Sequence, residues 1–444
     1  MCDVDMTRTR RILGLLRDYE SPNILAIEPD LSAPMIWERA RGAHVWDGSG
    51  RKYLDLTAAF GVAAAGHANP RVVAAGRRQM GLLLHAMGDV YPHARKAELA
   101  RELSRVTFER WSASRPQKAR LTGKTIFTNS GFEAVEAALK TAVLATGRHR
   151  IVAFTGAYHG LGYGALNATH REHFRGPFRR QLGGFSSVAR FPKSGAELAG
   201  LERHIRKLSA TRPLGAVLAE PIQARGGIRV PPAGFLPLLR GLCDEFGTLL
   251  ILDEIYTGFG RTGQWFACEH SATVPDLICL GKALTGGFPL SACVGRAGLM
   301  DAAWPRSTGE AIHTSTFLGH PVGCAMALAQ IREIAEKNLP ERSAALGAFL
   351  LQELRAAIGA SKYKIEIRGA GLMAGVEIRR PDGSLASAAA LGIVRAMLRA
   401  GFIVLAEGQS ANVISFTPPL TVTRSQLAAA ARALREAIAA LPAT

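Results

Sequence analysis

The sequence is sparing with the features that most quickly restrict a reading. Its six cysteines (Cys2, Cys243, Cys268, Cys279, Cys293 and Cys324) never form a C-x-x-C pair, which argues against a zinc site or a thiol–disulfide motif. Most sit in apolar patterns, as reduced core thiols do. No apolar run approaches the roughly 18 residues needed to span a bilayer. The first twenty residues carry Asp3, Asp5 and Asp18 and only the short apolar piece Ile12 to Leu16, so no signal peptide is expected. Fixed-period repeats, low-complexity tracts and long linkers are also missing. These absences predict a soluble cytoplasmic protein.

Acidic residues are few, 36 against 54 basic ones, for a net charge of +18. Such a surplus marks a nucleic-acid partner, anionic substrates or a solubilising surface. The nearest things to clusters are Arg8, Arg10 and Arg11, and then Arg171, Arg175, Arg179 and Arg180. Elsewhere the charge is spread without interleaved aromatics, which favours the surface reading and predicts neither a nucleic-acid nor a membrane partner. Hydrophobic residues at 48% of the 444 suffice for a sizeable core and exclude a disordered or fibrous chain.

In the middle of the chain, short apolar runs alternate with helical patterns. Residues 125–128, 151–154, 216–222, 248–255, 277–280 and 291–294 read as strands. Between them, 234–246 places Leu236, Leu239, Leu242, Cys243 and Phe246 at helical spacing. Continuous apolar strands alternating with helices predict an α/β fold, its mostly parallel sheet covered on both faces. At the N-terminal end, 45–54 reads as a hairpin. Beyond about residue 325 come a long helix, strands at 365–367 and 374–378, and a final helix over 425–441. The expected organisation is a large α/β domain over 61–325, flanked by a smaller α+β domain built from 1–60 and 326–444.

Two glycine motifs are decoys. Gly258-Phe259-Gly260-Arg261-Thr262-Gly263 has the letters of a dinucleotide loop, but no helix opens at its last glycine. Gly123-Lys124-Thr125 resembles the end of a P-loop, but Lys118 stands where the first glycine belongs; this reads as a turn entering a strand.

Three segments carry chemistry. Thr128-Asn129-Ser130-Gly131-Phe132-Glu133-Ala134 follows a strand and opens a helix with the apolar stripe Val135, Leu139 and Val143. Ser130 and Glu133 have capping-box spacing, and free N–H groups there suit a phosphate; an ordinary helix start is the plainer reading of that segment alone. Asp253 ends an apolar strand where open α/β sheets place ligands, and should face a cation. Lys282 closes another such strand, as a snorkelling surface residue or as a desolvated amine able to form a Schiff base.

Together these residues resemble the class III (omega-type) pyridoxal-phosphate (PLP) aminotransferases of fold type I, from about Asn23 to the C-terminus. The resemblance is carried by Asn129-Ser130-Gly131-Phe132-Glu133-Ala134, Gly156-Ala157-Tyr158-His159-Gly160 and Glu220-Pro221-Ile222-Gln223. It continues through Asp253-Glu254-Ile255, Thr257–Gly263, Lys282 and His313-Thr314-Ser315-Thr316-Phe317, with 282 − 253 = 29 positions between the key aspartate and lysine. It implies that Lys282 holds the cofactor and moves the proton, while Asp253 pairs with the pyridine nitrogen. Tyr158 would stack on one ring face and Ile255 pack on the other, and Gly131 and Phe132 would bind the phosphate by their amides. Ser130, His159 and Glu220 join the cofactor set. Thr316 would reach the phosphate of a second subunit, in a homodimer with shared sites.

The chain departs from relatives that use glutamate and 2-oxoglutarate. Leu161 and Ser415 stand where they carry arginines, and Arg225 where they carry glutamate. Arg225 therefore reads either as a substrate-carboxylate site, since arginine best supplies the cationic fork, or as a structural ion-pair partner. The expected function is an aminotransferase passing an amino group from an amine or amino acid to a 2-oxo acid. An amino-acid racemase or epimerase of the same fold is the alternative, and a basic nucleic-acid-binding protein a remoter one.

Overall fold

The computed structural model describes residues 2–24, 35–113, 121–358 and 361–441, with side chains from Arg8 onward. Lys118 and the Cys2 side chain lie outside the described residues. Seven strands form the large sheet: β1 (Gly123–Thr128), β2 (Arg150–Phe154), β3 (Ser186–Ala189), β4 (Leu214–Ala219), β5 (Leu249–Asp253), β6 (Leu277–Leu280) and β7 (Ser291–Arg296). Their order is β1-β7-β6-β5-β4-β2-β3. The run from β6 to β3 is parallel, whereas β7 is antiparallel to both neighbours.

The central strands are apolar throughout because both faces are covered. Ala216, Leu218, Ile251 and Cys279 point to one face and pack with Ala134, Val135 and Ala138 of the helix Gly131–Thr146. Val217, Leu250, Leu252 and Ile278 point to the other and pack with Leu239 and Leu242 of the helix Phe235–Phe246. This is the period-two alternation of a strand buried on both sides. Each fully buried Leu or Ile contributes about 1.5–3 kcal/mol of transfer free energy, so this layer dominates the core.

Several boundaries differ from expectation. The strands beginning near 216 and 248 end at Ala219 and Asp253, where polar residues turn away from the ladder. Gly123-Lys124-Thr125 is strand, not turn, pairing with Val294–Arg296. The short Ser-rich β3 gave no apolar signal. The single long helix is two, Pro321–Glu336 and Leu339–Ala357. Asn338 breaks them at φ 46°, and Pro340 opens the second, matching asparagine's tolerance of the left-handed region and proline's preference for a first turn.

The terminal segments come together. Lys52–Asp55 pairs with His44–Asp47 as the expected hairpin and runs parallel to Phe402–Ile403. A separate antiparallel sheet joins Lys364–Ala370, Met373–Arg379, Val413–Phe416 and Leu405–Glu407. No helix among the described residues is long and apolar enough to cross a membrane. The five described cysteines are free and buried.

Candidate active site

A cavity of about 380 Å³ opens at the carboxyl ends of β4, β5 and β6, within the usual size range of small-molecule sites. Its walls include Gly131, Phe132, Tyr158, His159, Glu220, Arg225, Asp253, Ile255 and Lys282. Nine of the eleven expected site residues thus converge from segments spread over 152 positions (131 to 282). Ser130 and Thr316 do not line it.

Asp253 is the last residue of β5 and is buried. Its side-chain partner is a histidine: His159 Nδ1–H donates to Asp253 Oδ2 at 2.8 Å. Asp253 Oδ1 accepts from the Ile255 amide at 3.1 Å, so the carboxylate is fixed at both oxygens. His159 is held in turn by its amide, which donates to Thr169 Oγ1 at 2.9 Å. Its Nε2 is buried without a hydrogen-bond partner.

Lys282 lies two residues beyond β6 and opens a single tight turn with φ 38°. A non-glycine residue in that region stores about 1–3 kcal/mol of strain and is typical of functional sites. Its Nζ stands 4.7 Å from the centroid of the Tyr256 ring, a cation–π distance. Burial pushes the Lys282 amine below its ordinary value, against the opposing pull of Asp253 and Glu220. A lowered amine pKa leaves more of the neutral nucleophile.

Glu220 braces the opposite wall. It accepts from the Tyr158 amide at 3.0 Å and the Ala224 amide at 3.1 Å. Burial raises its carboxyl to about 7, with nearby Asp253 adding to the rise and His159 opposing it.

At the head of the helix Gly131–Thr146 only half of the expected capping box is bonded. Glu133 accepts from the Asn129 and Ser130 amides at 2.7 and 3.0 Å, whereas Ser130 Oγ is buried and makes no hydrogen bond. A Cβ on Gly131 would meet Ile255 Cδ1 at 3.0 Å, so glycine lets the first turn approach the Ile255 side of the cavity. First-turn amides have no intrahelical partner.

The departures separate in space. Leu161 and Arg225 line the cavity. Ser415 is buried in the antiparallel sheet, where its hydroxyl donates to Leu405 O at 3.3 Å. Arg225 Cζ stands 5.1 Å from the Tyr158 ring centroid, and its Nε lies 3.7 Å from Glu407 Oε2. Thr316 is exposed. Arg171 departs from its surface reading: it is half-buried and donates through Nη2 to Arg225 O at 2.6 Å. Tyr256 and Glu407 were not among the expected site residues: Tyr256 stands between the Asp253–Ile255 and Thr257–Gly263 segments without a role of its own, and no local pattern links Glu407 to a strand end 154 positions earlier (407 − 253).

The group implied by this donor set fits. A fixed carboxylate, a desolvated lysine, unpaired first-turn amides and an orphaned serine hydroxyl match the ring nitrogen, aldehyde and phosphate of PLP. Fold and site together define a fold type I PLP enzyme. The sequence pattern of the aminotransferase class-III family matches residues 27–438, and the chain belongs to that family. It is a PLP-dependent aminotransferase.

It is 36% identical over 442 residues to a putrescine aminotransferase of Pectobacterium atrosepticum, covering 96% of this chain and 88% of the relative. It is 38% identical over 404 residues to an acetylornithine aminotransferase of Methanosarcina mazei, covering 91% and 92%. Among solved structures, an amine transaminase from an uncultivated Pseudomonas species with bound PLP superposes with a TM-score of 0.85. That pair shares 29% identity, over 95% of this chain and 98% of the other.

Proposed function

We propose that Lys282 holds PLP and then serves as the acid/base at the substrate carbon, while Asp253 keeps the ring nitrogen protonated. The observation that carries this reading is the meeting of a lysine amine lowered by burial with a buried, doubly fixed carboxylate in one cavity. Bound there, PLP supplies the electron sink that stabilises a carbanion at the substrate carbon. His159 holds Asp253 in orientation. Tyr158 and Ile255 confine the ring, Glu220 fixes the backbone of Tyr158, and Gly131, Phe132 and Ser130 hold the phosphate.

Arg225 recognises a carboxylate of the amino donor or of the 2-oxo acid. In support, it lines the cavity and its Nε has no hydrogen-bond partner. The structural alternative has its own support in the neighbouring Glu407, though at 3.7 Å the two are not hydrogen-bonded.

The active unit is a homodimer in which Thr316 reaches the partner's phosphate. Exposed Leu82, Leu84, Met87 and Tyr91 lie on a segment that meets the Thr316 loop: His85 packs on Phe317 at 5.3 Å, and Thr314 donates to Asp89 at 2.8 Å. Apolar surface of this kind marks interfaces. The smaller domain is formed by 1–60 with 326–444 around 61–325, a division supported by the pairing of Lys52–Asp55 with Phe402–Ile403. The buried free thiols support a cytoplasmic setting.

A panel of amines against 2-oxo acids, followed through the cofactor's absorbance, tests the reaction and finds the substrates. Putrescine and acetylornithine, named by the relatives, are the first donors to try. Amino transfer that requires an oxo acid is expected. Stereochemical inversion without any acceptor would instead mark a racemase.

A further inference from the structure

The Lys282 amine has one direct partner among the described residues, the face of the Tyr256 ring at 4.7 Å; neither a hydrogen bond nor an ion pair reaches its Nζ. Tyr256 lines the cavity, and its ring is fixed from behind. Thr417 Oγ1 gives its one proton to Thr57 O at 3.2 Å, so the Tyr256 hydroxyl is the donor in its own contact with Thr417 Oγ1, also at 3.2 Å. Burial pushes that phenol up to about 12, which keeps it a neutral donor.

The other clamp is a strained turn. Ala58, Ala59 and Phe60 stand at φ 46°, 49° and 61°, followed by Gly61 at φ 82°. A Cβ on Gly61 would meet Tyr256 Cε1 at 2.9 Å, so only glycine lets the chain press this closely on the ring. Three left-handed non-glycine residues in a row persist only where their surroundings hold them. Asp55 does so: Oδ1 accepts from the Thr57 amide at 2.8 Å, and Oδ2 from the Ala59 amide at 3.0 Å.

We propose that Tyr256 is a positioning residue for Lys282: while the lysine is not bound to the cofactor, the ring face seats its amine in the cavity and favours the protonated form. This rests on the reading of Lys282 as the cofactor lysine. A ring quadrupole attracts an ammonium and leaves a neutral amine nearly indifferent, so the seat opposes the effect of burial. The charged groups around the amine are Asp253, Glu220 and Glu407, which favour the ammonium, and Arg225, which disfavours it. The fixed ring adds to the first set at closer range than any hydrogen-bonded carboxylate. Lys282 then keeps a proton to deliver as well as an amine to react.

The test uses the full chain reconstituted with pyridoxamine phosphate, which leaves Lys282 uncombined. Trace acetylation by acetic anhydride across pH, with peptide mass mapping, gives the midpoint at which Lys282 becomes reactive. Tyr256→Phe retains the face, and its midpoint should match wild type. Tyr256→Leu removes the face, and the midpoint should fall by roughly half to one and a half pH units. Ring-fluorinated forms of Tyr256→Phe keep the shape, and so the fold, while draining electron density from the face; the midpoint should fall stepwise with each added fluorine. A midpoint indifferent to fluorination would make the ring a plain apolar wall. A fall in Tyr256→Phe equal to that in Tyr256→Leu would assign the effect to the hydroxyl; either result overturns the proposal. Borohydride trapping of the PLP-loaded enzyme keeps the two readings apart. A pyridoxyl group on another lysine would overturn the reading of Lys282, and with it the place of this seat in the reaction, whatever the midpoints show.

Discussion

His159 Nδ1–H meets Asp253 Oδ2 at 2.8 Å beneath the cavity, and the Ile255 amide holds the other oxygen at 3.1 Å. The carboxylate is therefore oriented before any ligand arrives. Such preorganisation is effective because nothing has to be rearranged as charge develops.

Asp253→Asn keeps the shape and an acceptor for His159 but removes the charge. Breaking a buried ion pair costs about 3–5 kcal/mol, and each 1.36 kcal/mol is roughly tenfold in rate. The amine half-reaction, followed in single turnover, should slow by about two to four powers of ten. A rate within tenfold of wild type would mean that the ring nitrogen is served by another group.

Glu220 makes a prediction about stability and pH. Its folded carboxyl is raised to about 7 from an ordinary 4.5, so between those values the folded state binds the extra proton. The stabilisation is fully present below pH 4.5 and is lost as pH rises through about 7. Glu220→Gln carries a constant penalty, because the amide cannot accept from both the Tyr158 and Ala224 amides, but it removes the titration. The melting temperature of the variant relative to wild type should therefore increase from pH 5 to pH 8. A difference that stays flat would show that Glu220 ionises normally.

Sharing of the site between subunits can be tested by complementation. Lys282→Ala removes the reactive amine, and Thr316→Asp places a negative charge against the partner's phosphate. Each homodimer should be nearly inactive. After subunit exchange, mixed dimers should regain activity through the one site that has both Lys282 and Thr316 intact. No recovery despite proven exchange would show that each site is built from a single chain.

Much of this was legible in the sequence because the site sits on strand ends. Apolar runs closed by Asp253, and by Lys282 shortly after, point to the edge of a parallel sheet where ligands bind, and Gly131 opens a helix at the same edge. Less legible were features set by tertiary contact. Arg171 looked like part of a surface cluster because its burial depends on the segment around Arg225. Glu407 ends a three-residue strand of the second sheet, and only chain packing brings it to Arg225. The Ser130 hydroxyl has the spacing of a cap yet lacks the bond, which spacing alone does not reveal.

Covalent trapping shows which lysine holds PLP. Borohydride reduction of the holoenzyme followed by peptide mass mapping should place one pyridoxyl group on Lys282. Lys282→Ala should show none at any other lysine. A label on Lys124, which pairs with Asp301 at the surface, or on Lys140, which contacts His313, would show that a lysine other than Lys282 holds the cofactor.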